Sequence, residues 1–157
     1  MGGQDCKAIR CDEIGKITNF VMNDKCAAGT GRFFEMIAEA MEERLEEIGS
    51  LSLRADQDVS ISSICAVFAK SEAISLVRRG VEKKNILGGI HNAVAERVIN
   101  LLYRVGIEKD LVITGGIAKN VGMVNRVNTK TKLKALIPEE PQIVGALGAA
   151  LFAAEKC

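Results

Sequence analysis

The sequence has almost no net charge, no long apolar run and a single histidine, and each scarcity removes a class of function. Its 21 Lys and Arg residues stand against 20 Asp and Glu, a formal net charge of +1. The broad cationic surface that holds nucleic acid or an anionic membrane is therefore not expected. No apolar stretch reaches the roughly 20 residues that a membrane helix needs, and no signal-peptide pattern opens the sequence. The one histidine, His91, falls in the middle of a helical pattern, where a core or surface place is expected, so a Cys-His hydrolase is not indicated. Internal repeats, linkers and low-complexity tracts are also missing. Five cysteines are an odd number in a chain with no secretory signal. Free thiols or metal ligation fit that number better than a disulfide framework, and a reducing cytoplasm is the expected compartment.

What is present is a globular composition: 157 residues, 48% apolar and 26% charged, enough for one domain or two small lobes with a real core. Residues 6–21 alternate apolar and polar around the turn residues DEIG and predict a hairpin. Phe34, Ile37, Met41, Leu45 and Ile48 step by three and four and predict one amphipathic helix from Ala27 to Ile48, with Glu42, Glu43, Glu46 and Glu47 on its other face. Residues 49–58 read as a loop. A helix from Ile64 to Arg79 follows, with Ser62 and Ser63 as N-cap candidates and Gly80 as its stop. Leu87, Ile90, Val94, Val98, Leu101 and Val105 mark another, ended by Gly106. DLVIT reads as a short buried strand, followed by a helix to Val127, a strand near Leu133–Ile137 and a last helix from Gln142, with Pro141 where a helix start tolerates proline. Hairpin, three helices, strand, helix, strand, helix is a mixed α/β order with a small sheet.

Three glycine-rich turns are the first candidates for chemistry. Gly2-Gly3-Gln4-Asp5 offers bare backbone N–H groups for phosphate oxygens and a carboxylate for a metal or water. A phosphate-binding turn of this kind normally follows a strand that aims it, and only Met1 precedes it here. Gly29-Thr30-Gly31 opens a predicted helix, where orphan N–H groups and the helix dipole favour an anion. Thr114-Gly115-Gly116 lies between a strand and a helix, where α/β sheets hold ligands. Each alone reads more readily as a plain turn or cap; three in one small domain are more suggestive than any one. None matches a Walker loop or a full GxGxxG with its spaced acid.

The cysteines are the second. Cys26 and Cys65 each precede a predicted helix, a placement that lowers a thiol pKa and makes a ligand or nucleophile, although a buried free cysteine is the plainer reading of either. Two thiolates cannot close a four-coordinate site within one chain. Two chains around a two-fold axis supply four, which suits iron–sulfur or zinc. Cys6, Cys11 and Cys157 show no ligand spacing. Glu72, Arg78-Arg79, Lys83-Lys84 and the alternating Lys130, Lys132 and Lys134 read as solvated helix and loop faces.

Taken together, GGQD, NDKCAAGTGRF, SSICAVFAKSE, ITGGIAKN and PEEPQIVGALGAALFA closely resemble the ATPase activators of 2-hydroxyacyl-CoA dehydratases, a family that includes the ATPase subunits of benzoyl-CoA reductase. The resemblance covers nearly the whole chain in the right order. It implies an actin-like (ribonuclease H-like) ATPase lobe of the acetate and sugar kinase, chaperone and actin superfamily. It also implies ATP or ADP with Mg2+, and a homodimer holding one 4Fe-4S cluster between subunits. The implied activity is ATP-driven electron transfer at very low potential to a dehydratase or reductase component.

Matched onto this sequence, Cys26 and Cys65 fall on cluster ligands, Gly2 to Asp5 on the second phosphate motif, and Gly115-Gly116 on the adenosine motif. Gln4 and Asp5 are then the candidate catalytic residues, and Gly29-Thr30-Gly31 faces the nucleotide side. The family pattern has an aspartate two places before the Gly-Gly pair and a first half with its own phosphate loop; neither is found here. Residues 1–157 are accordingly expected to be the C-terminal part of an activator, its first half absent. Two rivals stay open: a cluster-holding dimerisation module that does not turn over ATP, and a kinase-like domain whose cysteines are incidental.

Overall fold

The computed structural model describes residues 1–23, 30–57, 59–61 and 65–155. The chain opens with an antiparallel hairpin of β1 (Lys7–Cys11) and β2 (Ile17–Met22), in the register Ala8 to Val21 and Ile9 to Phe20. Asp12 shapes its turn: the carboxylate accepts from the N–H groups of Ile14 and Lys16. The α/β class expected from the sequence is observed, with helices α1 (Gly31–Met41), α2 (Leu45–Ser52), α3 (Ala66–Arg78), α4 (Lys83–Val105), α5 (Val121–Thr131) and α6 (Val144–Ala154).

The predicted single helix over 27–48 is two helices. Glu42 adopts a left-handed conformation (φ 52°), and its N–H and that of Glu43 return to carbonyls of the last turn of α1, a left-handed cap built without glycine. The apolar stripe ran through the break because both helices face one core: Phe34, Ile37, Met41 and Ile48 are all buried. Residues 49–52, read as loop, continue α2. That is possible because Gly49 lies against α5, where a methyl group would come within 2.5 Å of the Asn120 Oδ1.

Helix α4, 23 residues and about 35 Å long at 1.5 Å per residue, is the spine. It packs on β1 and β2 along one side and on α2, α3 and α5 along others. Its apolar side chains at 86, 87, 90, 94 and 98 are almost wholly removed from water, each contributing on the order of 2 kcal/mol. Gly106, with φ 83°, ends it as expected. Arg126 ties three helices together: its guanidinium donates to the Ser52 carbonyl (3.0 Å) at the end of α2, to the Ser52 hydroxyl (3.0 Å), to the Gly122 carbonyl (3.1 Å) and to Asn92 of α4 (2.7 Å).

Two predicted strands are reduced to one bridge. Val112 and Leu136 pair in parallel, with the Ile113 N–H on the Leu136 carbonyl (3.0 Å) and the Leu136 N–H on the Leu111 carbonyl (2.8 Å). DLVIT is not the buried strand expected, for Val112 is half-exposed; among the described residues no neighbour pairs its other edge. Helix α6 is apolar at nearly every position, the pattern of a buried helix, yet none of its residues is buried.

Candidate nucleotide and thiolate site

Residues 1–3 are the hub on which the glycine-rich turns converge. The Gly2 N–H donates to the Asp5 carbonyl (2.9 Å), closing the first turn. The carbonyls of Gly2 and Gly3 accept from the N–H groups of Gly31 (2.9 Å) and Arg32 (2.8 Å), the first two residues of α1. Those two donors are therefore engaged by protein, so the helix start is not the open anion site that its sequence suggested. The N–H groups of Gly3 and Gln4 make no hydrogen bond among the described residues, and both residues are exposed. Glycine at position 31 suits this approach, since a methyl there would crowd the Gly3 Cα at 3.1 Å. Thr30, the residue before α1, is fully buried.

The second contact is with residues 114–117. The Met1 ammonium donates to the Thr114 carbonyl (2.6 Å), and the Met1 carbonyl accepts from the Ile117 N–H (3.5 Å). Burial pulls the Met1 amino pKa below its ordinary value, partly offset by the nearby Cys6 and Asp5. Gly115 has φ 86°, and a methyl group there would overlap the Met1 carbonyl. Its N–H donates to the Pro141 carbonyl (2.7 Å), and Gln142 approaches Gly116. Gly116 opens a 3-10 turn over Gly116–Lys119, and Asn120 caps α5 by accepting from the Met123 N–H (3.0 Å).

The structure therefore gathers Gly2, Gly3, Gln4, Asp5, Thr30, Gly31, Gly115 and Gly116 around one point. Asp5 is half-exposed and ion-paired with Lys7 at 2.5 Å. Met1, Pro141 and Gln142 belong to the same cluster and were not singled out from sequence; only the position of Pro141 at a helix start hinted at them.

Of the two candidate thiolate ligands, Cys65 is half-exposed and occupies the N-cap position of α3. Cys26 and Gly29 lie outside the described residues, as do Ser62, Ser63 and Cys157. Cys65 takes the capping position expected of the serines, and its carbonyl accepts from Ala69 (3.0 Å). Val67 and Phe68 beside it are 65% and 69% exposed. Cys6 is buried, which raises its thiol pKa, and Cys11 is exposed at the end of β1. No group of three or more metal-binding side chains occurs among the described residues. One described thiol at a helix start is a donor set that needs more ligands than the described residues supply. His91 is buried in the core, stacked near Phe34. Among the described residues no helix is long and apolar enough to cross a membrane.

Known proteins give this geometry its context. The chain is 52% identical over 155 residues to the activator of lactoyl-CoA dehydratase of Anaerotignum propionicum, covering 99% of this chain and 60% of that protein. It is 47% identical over 156 residues to the (R)-2-hydroxyglutaryl-CoA dehydratase activating ATPase of Acidaminococcus fermentans, with the same coverage. The fold superimposes on the activator of 2-hydroxyisocaproyl-CoA dehydratase from Clostridium difficile, solved with bound ADPNP, with a TM-score of 0.93 and 44% identity over 99% of this chain and 58% of that one. The chain thus spans about 60% of the length of the curated relatives it matches. The family model for the BadF/BadG/BcrA/BcrD ATPases matches residues 1–153, and with relatives this similar along almost its entire length the chain belongs to that family.

Proposed function

We propose that this chain is the nucleotide- and cluster-binding part of an ATP-dependent electron donor that activates a 2-hydroxyacyl-CoA dehydratase or a related acyl-CoA reductase. The observation that carries the reading is the convergence of residues 2–5, 30–32 and 114–117 on one point, in a fold shared with an ADPNP-bound activator. In this reading the free N–H groups of Gly3 and Gln4 bind phosphate oxygens, and Gln4 and Asp5 position the attacking water and Mg2+. Gly115, pressed against Met1, and Gly116 beside it lie on the nucleoside side. Cys26 and Cys65 hold a 4Fe-4S cluster together with the same two cysteines of a second copy, and the apolar Val67 and Phe68 beside Cys65 supply contact surface for that two-fold dimer. When bound, the cluster supplies a one-electron store; the protein contributes thiolates, that of Cys65 at the start of α3, where the dipole favours an anionic group.

A second reading has one observation in its favour: the chain covers about 60% of its relatives. It is then a cluster and dimerisation module that needs further polypeptide before it turns over ATP. Anaerobic purification tests both. The leading reading expects a brown protein with about four iron and four sulfide per dimer, and hydrolysis of Mg-ATP. Cluster without hydrolysis selects the module, and neither cluster nor nucleotide binding overturns both.

A further inference from the structure

His91 is wholly buried on a stretch of α4 whose other buried side chains, Leu87, Ile90 and Val94, are apolar. A leucine there would leave water as readily, so the ring is not explained by core packing; its polar atoms are what distinguish it. Nδ1 donates to the Leu87 carbonyl one turn back (2.8 Å), which leaves Nε2 as an acceptor. That acceptor faces the Asn120 side-chain nitrogen, 3.2 Å away. Asn120 cannot turn its oxygen toward the ring instead, because the oxygen accepts from the Met123 N–H (3.0 Å) at the start of α5. Gly49 of α2 closes in as well: a methyl group there would come within 2.5 Å of the same oxygen. Three helices therefore fix one amide side chain.

Asn120 ends the turn that carries Gly115 and Gly116. At one end of that turn the Gly115 N–H is tied to the Pro141 carbonyl (2.7 Å). At the other the Asn120 N–H donates to the Ile117 carbonyl (2.9 Å), and the Asn120 carbonyl accepts from Met123 and Val124 (both 3.1 Å). Between these anchors the Ala118 N–H returns to the Gly115 carbonyl (3.0 Å), and Gly116 is exposed. We propose that His91 is a positioning residue for this turn: by fixing the Asn120 side chain it holds residues 115–119 in the place where they meet the nucleoside of an adenine nucleotide. The identity of the ligand rests on the nucleotide reading above, the anchorage on the hydrogen bonds alone. His91 acts only through Asn120. Burial is the main cause that lowers its pKa to about 4, and Arg126 of α5 is the charge that bears on the ring in the same direction. The ring is thus the neutral acceptor that Asn120 requires throughout the neutral pH range.

Amide exchange in the unliganded full chain tests the anchorage, and titration with Mg-ADP tests its consequence. His91→Leu removes the acceptor and keeps the burial; His91→Gln supplies an amide oxygen in place of Nε2. In His91→Leu the amides of Ala118, Asn120, Met123 and Val124 are expected to exchange about fivefold faster, the effect of one lost hydrogen bond, with amides in the middle of α3 unchanged. Mg-ADP is expected to bind about fivefold more weakly, since the population of the held turn falls by that factor. His91→Gln is expected to bring both within about twofold of the unaltered protein. Asn120→Asp keeps an oxygen for Met123 and sets a carboxylate against Nε2, so the C2-proton titration of His91 should move up by at least about one pH unit. An unmoved titration overturns the contact. Exchange that rises equally in α3 and at residues 118–124 overturns the proposal, because the histidine then serves global stability alone. So does an Mg-ADP affinity that neither His91 variant changes. No Mg-ADP binding by the unaltered chain overturns the ligand assignment and the nucleotide reading together, while the exchange pattern separately supports or overturns the anchorage.

Discussion

Acid should weaken this fold through one residue, His91, well above the pH at which carboxylates titrate. Its ring is buried, with Nδ1 2.8 Å from the Leu87 carbonyl and Nε2 3.2 Å from the Asn120 side-chain nitrogen. Nδ1 must carry the proton to bond a carbonyl, and Nε2 then accepts from the Asn120 amide, whose oxygen is held by the Met123 N–H. The neutral ring satisfies every partner. A second proton on Nε2 meets an N–H group, with the Phe34 ring 4.6 Å away and Arg126 as the nearby charge. Burial, reinforced by Arg126 and opposed by the two hydrogen bonds, lowers the pKa from 6.5 to about 4.

The folded value is the lower one, so the unfolded chain takes up the proton first. The stabilisation is complete above about pH 6.5 and is lost as pH falls toward about 4. Linkage over that interval gives about 2 kcal/mol lost between pH 7.5 and 5, and about 3 kcal/mol by pH 3.5. Urea midpoints at pH 7.5 and 5.0 measure it, with His91→Gln as the variant from which the pH-dependent loss should disappear. This is the chain's only histidine, so its C2 proton resonance reports titration without assignment. A midpoint near 6.5, or an equal acid loss in the glutamine variant, would refute the reasoning.

Other outcomes follow from single contacts. Gly15 and Gly115 share nearly the same positive φ, 81° and 86°, but a methyl at Gly15 meets nothing while one at Gly115 overlaps Met1. Gly15→Ala should cost about 1 kcal/mol of backbone strain, and Gly115→Ala at least about 2 kcal/mol more, read as a gap of several degrees in melting temperature; equal losses would contradict the close approach. Arg126→Ala should cost about 2–3 kcal/mol by removing the donors to the Ser52 carbonyl and to its buried hydroxyl, which keeps its own bond to the Gly49 carbonyl, and Arg126→Lys should recover less than half of it, because one ammonium cannot span Asn92, Ser52 and Gly122. Cys26→Ser or Cys65→Ser should abolish iron binding while Cys6→Ser, Cys11→Ser and Cys157→Ser retain it; iron retained in the Cys26/Cys65 double variant would remove the proposed ligand set. Sedimentation of iron-loaded and iron-free protein should show the loaded form dimerising more tightly, and a loaded monomer at low concentration would exclude a shared cluster.

Much of this fold was legible because its elements carry strong local signals. The hairpin announced itself by alternation around Asp12 to Gly15, and α4 by a stripe that runs from Leu87 to Val105 and stops at a positive-φ glycine. The break between α1 and α2 was not legible, since periodicity records which face is buried and not whether the axis bends, and Glu42 takes the left-handed position that glycine usually marks. The strands expected at 110–114 and 133–137 were read from composition, but a strand is a property of its neighbours as well, and among the described residues each keeps one bridge. The glycine turns were legible as a set of three. Their meeting at Met1 was not, because no pattern in the sequence states that the Gly2 and Gly3 carbonyls take the first N–H groups of α1. Arg126 left no signal either: five donors converging on three helices are visible only after those helices pack.

In the proposed reading, the way α1 is attached connects the nucleotide side to the cluster side. The turn at residues 2–5 cannot shift against α1 without breaking two backbone hydrogen bonds, at 2.9 and 2.8 Å, each worth about 1 kcal/mol net. Helix α1 in turn packs on α3, and the residue that precedes α3 is Cys65. Buried Ala69 and Ala73 on α3, beside buried Phe34 and Ile37 on α1, leave little slack in the core between them, and close-packed interiors transmit displacement instead of absorbing it. A ligand that pulls on the Gly3 and Gln4 amides therefore pulls on α1, and through α1 on the start of α3. A ligand shifts such a linkage only by the difference in its affinity for the two positions of the turn. For ATP and ADP that difference has to arise at the phosphates, and the unengaged N–H groups of Gly3 and Gln4 are where this chain meets them in the proposed reading.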